Sequence, residues 1–133
     1  MGTSYRTAVP VQSGLVAFVD FTVTDQDTAI ALRTGDVPVL ATPRVIALVE
    51  EASVEAVRPS LTDGQTTVGM RIELSHLIPV LVGQTVRAEA TLERVEGRRL
   101  TFTVSVNGER GLVAAGKVTR VVVDREQFLE KAS

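Results

Sequence analysis

The chain has 133 residues, 44% hydrophobic and 23% charged, a mix that suits one globular domain with a substantial apolar core. Its 14 basic and 16 acidic residues give a formal net charge of −2, and aromatics make up only 4%, so neither a phosphate backbone nor stacked bases are expected as partners. With no Cys and a single His, disulfides, thiolate nucleophiles and cysteine metal sites are excluded, and no transition-metal site is expected.

Residues 1–13 read as a loose arm or a short edge strand. No apolar run there resembles a secretory signal, and no run in the chain is long enough to span a bilayer, so the expected compartment is the cytoplasm with no membrane partner. Val16 to Thr24 is rich in β-branched and aromatic residues and predicts a strand. A helical turn around Thr28 to Leu32 and a Gly35-Asp36 turn follow. Val37 to Leu40 reads as an extended connector, because Pro38 cannot donate to a ladder.

Pro43 to about Arg58 predicts the one long helix, with Thr42 as its cap and Pro43 at the first helical position. At about 100° per residue, Arg44, Glu51, Glu55 and Arg58 share one narrow stripe, the solvated face. Glu50 falls off that stripe, beside Ile46 and Val57. Beyond Pro59 and Thr62-Asp63-Gly64 the chain alternates apolar and polar. From Thr66 to Ile78, Val68, Met70, Ile72 and Leu74 are expected inward. From Thr85 to Val95 the inward set is Val86, Ala88, Ala90 and Leu92. From Arg99 to Val106 it is Leu100, Phe102, Val104 and Val106. Asn107-Gly108 signals a hairpin turn, and Leu112 to Val123 predicts the last strand, with Leu112, Ala114, Val118 and Val122 in phase. Asp124 to Lys131 suits a short terminal helix.

One strand, one long apolar helix and a four-strand meander form an α+β domain over residues 1–133, in which a curved antiparallel sheet wraps the helix: the hotdog fold. An edge strand of such a sheet is protected by pairing with a second copy, so a homodimer is expected, with assembly to a tetramer left open.

Polar groups on apolar faces cost free energy unless they are paired, so three of them stand out. Thr42 precedes the helix, Glu50 lies off its charged stripe, and His76 is in phase with the apolar residues of its strand. Thr42 has a structural reading as a cap, Glu50 as a rim carboxylate paired with an Arg, and His76 as a core histidine bonded to a backbone carbonyl. Gly69 admits either a ligand or close packing on its strand. Arg120 is in phase with inward residues, where a carboxylate partner is the main expectation and substrate contact the lesser one. Arg98 and Arg99 flank a turn and read as a solvated tip, with CoA phosphates as the alternative.

The segment Ala41-Thr42-Pro43 leading into Ile46-Ala47-Leu48-Val49-Glu50, Gly69 followed by His76, and Arg94-Val95-Glu96-Gly97-Arg98-Arg99-Leu100 together resemble the fluoroacetyl-CoA thioesterase-like family of hotdog proteins, over roughly residues 13 to 128. The resemblance implies an acyl-CoA thioester hydrolase with Thr42, Glu50 and His76 catalytic and with sites near a homodimer interface. Gly69 and Arg120 would contact substrate. No cofactor is implied beyond the coenzyme A of the substrate. The aromatic lid that the resemblance associates with the fluoroacetyl enzyme has no counterpart in the stretch Arg33 to Leu40, which contains no aromatic residue, so a different acyl group is expected. Thioester hydrolysis needs an activated water and donors for the developing oxyanion, which Glu50, His76 and the helix start can supply. The alternatives are a noncatalytic acyl-CoA binding module, a hotdog enoyl-CoA hydratase or dehydratase, and a purely structural dimer.

Overall fold

The computed structural model describes residues 10–133; residues 1–9 of the expected arm lie outside the described residues. The elements are β1 (Val16–Thr22), α1 (Thr42–Val57), β2 (Gln65–His76), β3 (Thr85–Glu96), β4 (Arg99–Gly108), β5 (Gly111–Asp124) and α2 (Arg125–Glu130), with one-turn 3-10 segments at Asp25–Asp27 and Arg58–Ser60. All strand pairs are antiparallel, in the order β1-β3-β4-β5-β2. One face of this sheet packs on α1, which gives the expected hotdog arrangement.

The meander is only partly present. Strands β3, β4 and β5 are joined by tight turns, but β2 pairs with β5 at the far edge and not with β3. The chain between β2 and β3 is occupied elsewhere: the Val80 carbonyl accepts from Leu40 N–H at 2.9 Å, and Leu81 bridges to Val39. The connector thus pairs with the extended stretch ahead of α1, and β2 cannot fold back as a hairpin.

The core is built from the inward residues of β3 and β4 against one side of α1. Val86, Ala88, Ala90, Leu92, Leu100, Phe102, Val104 and Val106 are buried, as their alternation predicts. They meet Val45, Leu48, Val49, Ala52, Ala56 and Val57 of the helix, all buried. Two further expectations are corrected by irregular register. The β4–β5 turn sits at Glu109–Arg110, because Asn107 and Gly108 stay in the ladder opposite Leu112 and Gly111. A register shift beside Asn107 then turns Leu112 out to 42% exposure and buries Val113 with Ala114.

The most consequential irregularity is in β2. Gly69 pairs with Arg120 and Arg71 with Thr119, so Met70 is an extra, bulged residue. Val68 and Met70 therefore do not share the inward phase expected of them, and Met70 is 53% exposed. Before the bulge the inward residues are Thr67 and Gly69; after it they are Ile72, Leu74 and His76.

A buried carboxylate anchors the start of α1. Asp27 accepts from Thr24 N–H and Thr24 Oγ1, both at 2.7 Å, and from Arg44 Nε at 3.1 Å. Burial pushes its carboxyl pKa up, but these donors outweigh it and hold the value below the ordinary one. The Asp27 carbonyl takes the Ala41 N–H at 2.9 Å, and the Arg44 guanidinium lies 4.2 Å from the Phe21 ring centre. The first turn of α1 is thereby fixed against β1. Phe102 fills the centre of the core with no exposed surface. Phe102→Ala is expected to lower the unfolding free energy by about 3–5 kcal/mol in urea titrations.

Candidate active site

Thr42 is the first residue of α1 and not its cap. Ala41 holds the cap position, and no side chain caps the helix there. The expected capping role of Thr42 is therefore absent, and its hydroxyl is used otherwise: Oγ1 lies 2.8 Å from His76 Nδ1. The helix start also offers fewer donors than a free N-terminus. Pro43 has no N–H, and the N–H groups of Arg44 and Val45 both turn back to the Ala41 carbonyl at 3.0 and 3.1 Å.

His76 closes β2, its ring half-buried beside Thr42. Burial lowers its pKa from 6.5, opposed in part by the Ile78 backbone, so the imidazole is neutral at pH 7. Nδ1 is engaged by Thr42, whereas buried Nε2 has no partner among the described residues. A buried polar atom without a partner is costly in a finished core, but it suits a site that receives one. Thr42 and His76 line a cleft of about 400 Å³ whose other walls include Ala29, Val37, Leu40, Leu77 and Pro79. The extended connector supplies much of this apolar lining, a part that periodicity did not mark.

Glu50 lies eight residues along α1 from Thr42, about 12 Å at the helical rise. It does not meet His76 within this chain. Its Oε2 accepts from Arg120 Nη1 at 2.9 Å. The Glu50 side chain keeps 34% of its surface exposed, whereas that of Arg120 keeps only 9%. The remaining Arg120 donors go to Thr67: Nε to Oγ1 at 2.9 Å and Nη2 to the carbonyl at 3.0 Å. Burial lowers the Arg120 pKa and Glu50 opposes that shift; a guanidinium stays charged regardless.

Gly69 completes this cluster by having no side chain. A Cβ there would sit 2.7 Å from Glu50 Oε2 and 3.5 Å from Arg120 Nη1. The space is taken by the protein's own ion pair, which is the close-packing alternative of the sequence analysis. Arg120 likewise has the carboxylate partner expected of an inward Arg. Thr67 was not singled out from the sequence; only the bulge at Met70 brings it onto the inward face with Gly69.

The five sequence-derived positions thus form two clusters, Thr42 with His76 at one end of α1 and Glu50 with Arg120 and Gly69 further along it. Among the described residues, no group of three His, Asp or Glu side chains is placed to hold a metal ion, and no helix is long and apolar enough to cross a membrane.

Comparison with known proteins identifies the family. The model of the fluoroacetyl-CoA-specific thioesterase family matches residues 23–126. A fluoroacetyl-CoA thioesterase of Streptantibioticus cattleyicolor is 36% identical over 93 residues, 70% of this chain and 67% of that protein. The solved structure of the fluoroacetyl-CoA thioesterase FlK superposes with a TM-score of 0.88 at 30% identity, over 93% of this chain and 96% of the other. A threonine-to-serine mutant of FlK in complex with acetyl-CoA matches at 30% identity with a TM-score of 0.84, over 91% and 96% of the two chains. With α1, strands β2 to β5 and the two side-chain clusters inside the matched span, this chain belongs to the fluoroacetyl-CoA-specific thioesterase family.

Proposed function

We propose that this protein hydrolyses an acyl-CoA thioester to the free acid and coenzyme A at a site shared between two copies of the chain. The observation that carries the reading is the Thr42–His76 pair lining a largely apolar cleft, with the buried Nε2 left without a partner among the described residues. Family membership supports the reaction class.

The Thr42 hydroxyl donates to Nδ1, which leaves the proton on Nε2. A neutral imidazole then presents Nε2–H as a donor to the thioester carbonyl, whose oxygen gains charge as water adds. Thr42 fixes the tautomer and the ring plane. Glu50 takes the proton of the attacking water, and the tetrahedral intermediate collapses with loss of the CoA thiolate. A thiolate leaves readily, so a strong acid is not required. Water and these side chains are the only reagents, without a cofactor beyond the CoA of the substrate. The absence of an aromatic residue from Arg33 to Leu40 favours an acyl group other than fluoroacetyl.

Because Glu50 lies about 12 Å along α1 from Thr42, which holds His76, the carboxylate that serves a given cleft is supplied by the partner subunit. The support is geometric. Strand β2 is an edge of the sheet, 12 residues long, and an unpaired edge of that length invites a second strand. Antiparallel pairing of β2 with its copy about a two-fold axis at Glu73, with bulged Met70 and Arg71 together taking one position, sets Gly69 of each chain opposite His76 of the other. The same axis passes α1 near Ile46, midway between Thr42 and Glu50. Both clusters then meet twice, once at each end of the interface. This homodimer, in the cytoplasm, is the assembly we propose.

Glu50→Gln and His76→Ala are each expected to lower turnover roughly tenfold or more with the fold intact, read as thiol release from a panel of acyl-CoAs. Binding without thiol release in the unmodified protein would point instead to a binding module. Mixing the two inactive variants under subunit exchange should restore about one quarter of the activity, since half the dimers then hold one intact site of two. No restoration would place both groups of each site in a single chain. The neutral imidazole also sets a pH dependence. Its folded pKa lies below 6.5, so kcat/KM should hold from pH 8 down to 6.5 and fall only below that value. The unfolded chain takes up the proton first, so stability contributed by the neutral ring declines as pH drops through 6.5. A His76-dependent inflection above 6.5 would contradict this assignment.

A further inference from the structure

A carboxylate that removes a proton from water must be held in one orientation, because loose placement by even 1 Å is costly in rate. A Glu side chain has three rotatable bonds and cannot hold itself. Here the holder is Arg120, and a guanidinium on a strand is itself flexible unless its other donors are engaged.

We propose that Thr67 is the positioning residue of the site: it grips Arg120 at two points and through it fixes the Glu50 carboxylate. The inference rests on the reading of Glu50 as the base. Thr67 presents two acceptors to one side of the guanidinium, its hydroxyl to Nε at 2.9 Å and its carbonyl to Nη2 at 3.0 Å. Two such contacts fix a planar fork in position and in plane. Only Nη1 is then directed to Glu50, and it meets a single oxygen, Oε2, at 2.9 Å. That leaves Oε1 outside the ion pair. Gly69 lets Oε2 settle against the strand at a distance from which a Cβ would displace it. Thr67 is buried at 7% exposure and makes no hydrogen bond to the carboxylate, so its polar influence runs through Arg120. The bulge at Met70 places Thr67 and Gly69 on this face together, opposite Val122 and Arg120.

The test compares three substitutions in the full-length protein by steady-state thiol release from an acyl-CoA that it turns over. Thr67→Val removes the hydroxyl and is expected to lower kcat about tenfold with KM changed less than about twofold. Thr67→Ser restores the oxygen and should return kcat to within about twofold of the parent. In a Glu50→Gln background Thr67→Val should cause less than about a twofold further loss, because both changes then act on one disabled group. An unchanged kcat in Thr67→Val, an equal loss in the Ser and Val variants, or a full additional loss in the double variant would each overturn the assignment. If Thr67→Val does not fold, Thr67→Cys replaces the oxygen by a weak acceptor; the same kcat-specific loss is expected, and an unchanged kcat overturns the proposal. Activity retained in Glu50→Gln alone would remove the base itself and is a separate result.

Discussion

One extra residue in one strand decides what this site can contain. Side chains on a strand alternate between faces, so Gly69 and His76, an odd number of positions apart, cannot share a face on a regular ladder. The bulge at Met70 changes the count. It turns Thr67 and Gly69 toward α1 at one end of β2, and Ile72, Leu74 and His76 toward it at the other. Without it the imidazole and the ion-pair pocket would lie on opposite faces of the sheet, and no arrangement of subunits would bring them together.

The two clusters are satisfied to different degrees, and the difference follows their chemistry. A buried guanidinium is tolerable only if its donors are met, and all three nitrogens of Arg120 have a partner. The imidazole has a partner on Nδ1 alone. Its second nitrogen needs a ligand or a second subunit, and burial keeps it neutral and able to accept one. The first cluster is therefore rigid before anything binds, and the second is poised.

The start of α1 joins these parts. Asp27 ties the loop after β1 to Ala41 and Arg44, which sets the rotation of the helix about its axis. That rotation places Thr42 over the end of β2 and Glu50 over Gly69. Because Ala41 occupies the cap position, the Thr42 hydroxyl is released from a structural task to an imidazole. The extended stretch ahead of the helix pairs with the chain leaving β2, so the walls of the cleft come from two connectors braced on each other.

Much of this was legible in the residues themselves. The helix stops at Val57, just ahead of Pro59, and the inward sets of β3 and β4 followed from strict alternation, because period-2 and period-3.6 burial are properties of the local chain. The polar residues Thr42, Glu50, His76 and Arg120 were visible as breaks in those apolar patterns, as was Gly69 as a gap in a strand. What alternation cannot show is where a count slips. The bulges beside Met70 and Asn107 arise from pairing with another strand, and they alone turned Met70 and Leu112 outward and Thr67 inward. Pairing order also depends on partners remote in sequence, so β2 lies at the sheet's edge beside β5 where a meander was expected. Which polar groups would exist, and on which element, was determined by the sequence; which of them touch was decided by register and by the packing of the helix on the sheet, since contact across distant segments is set by the fold as a whole.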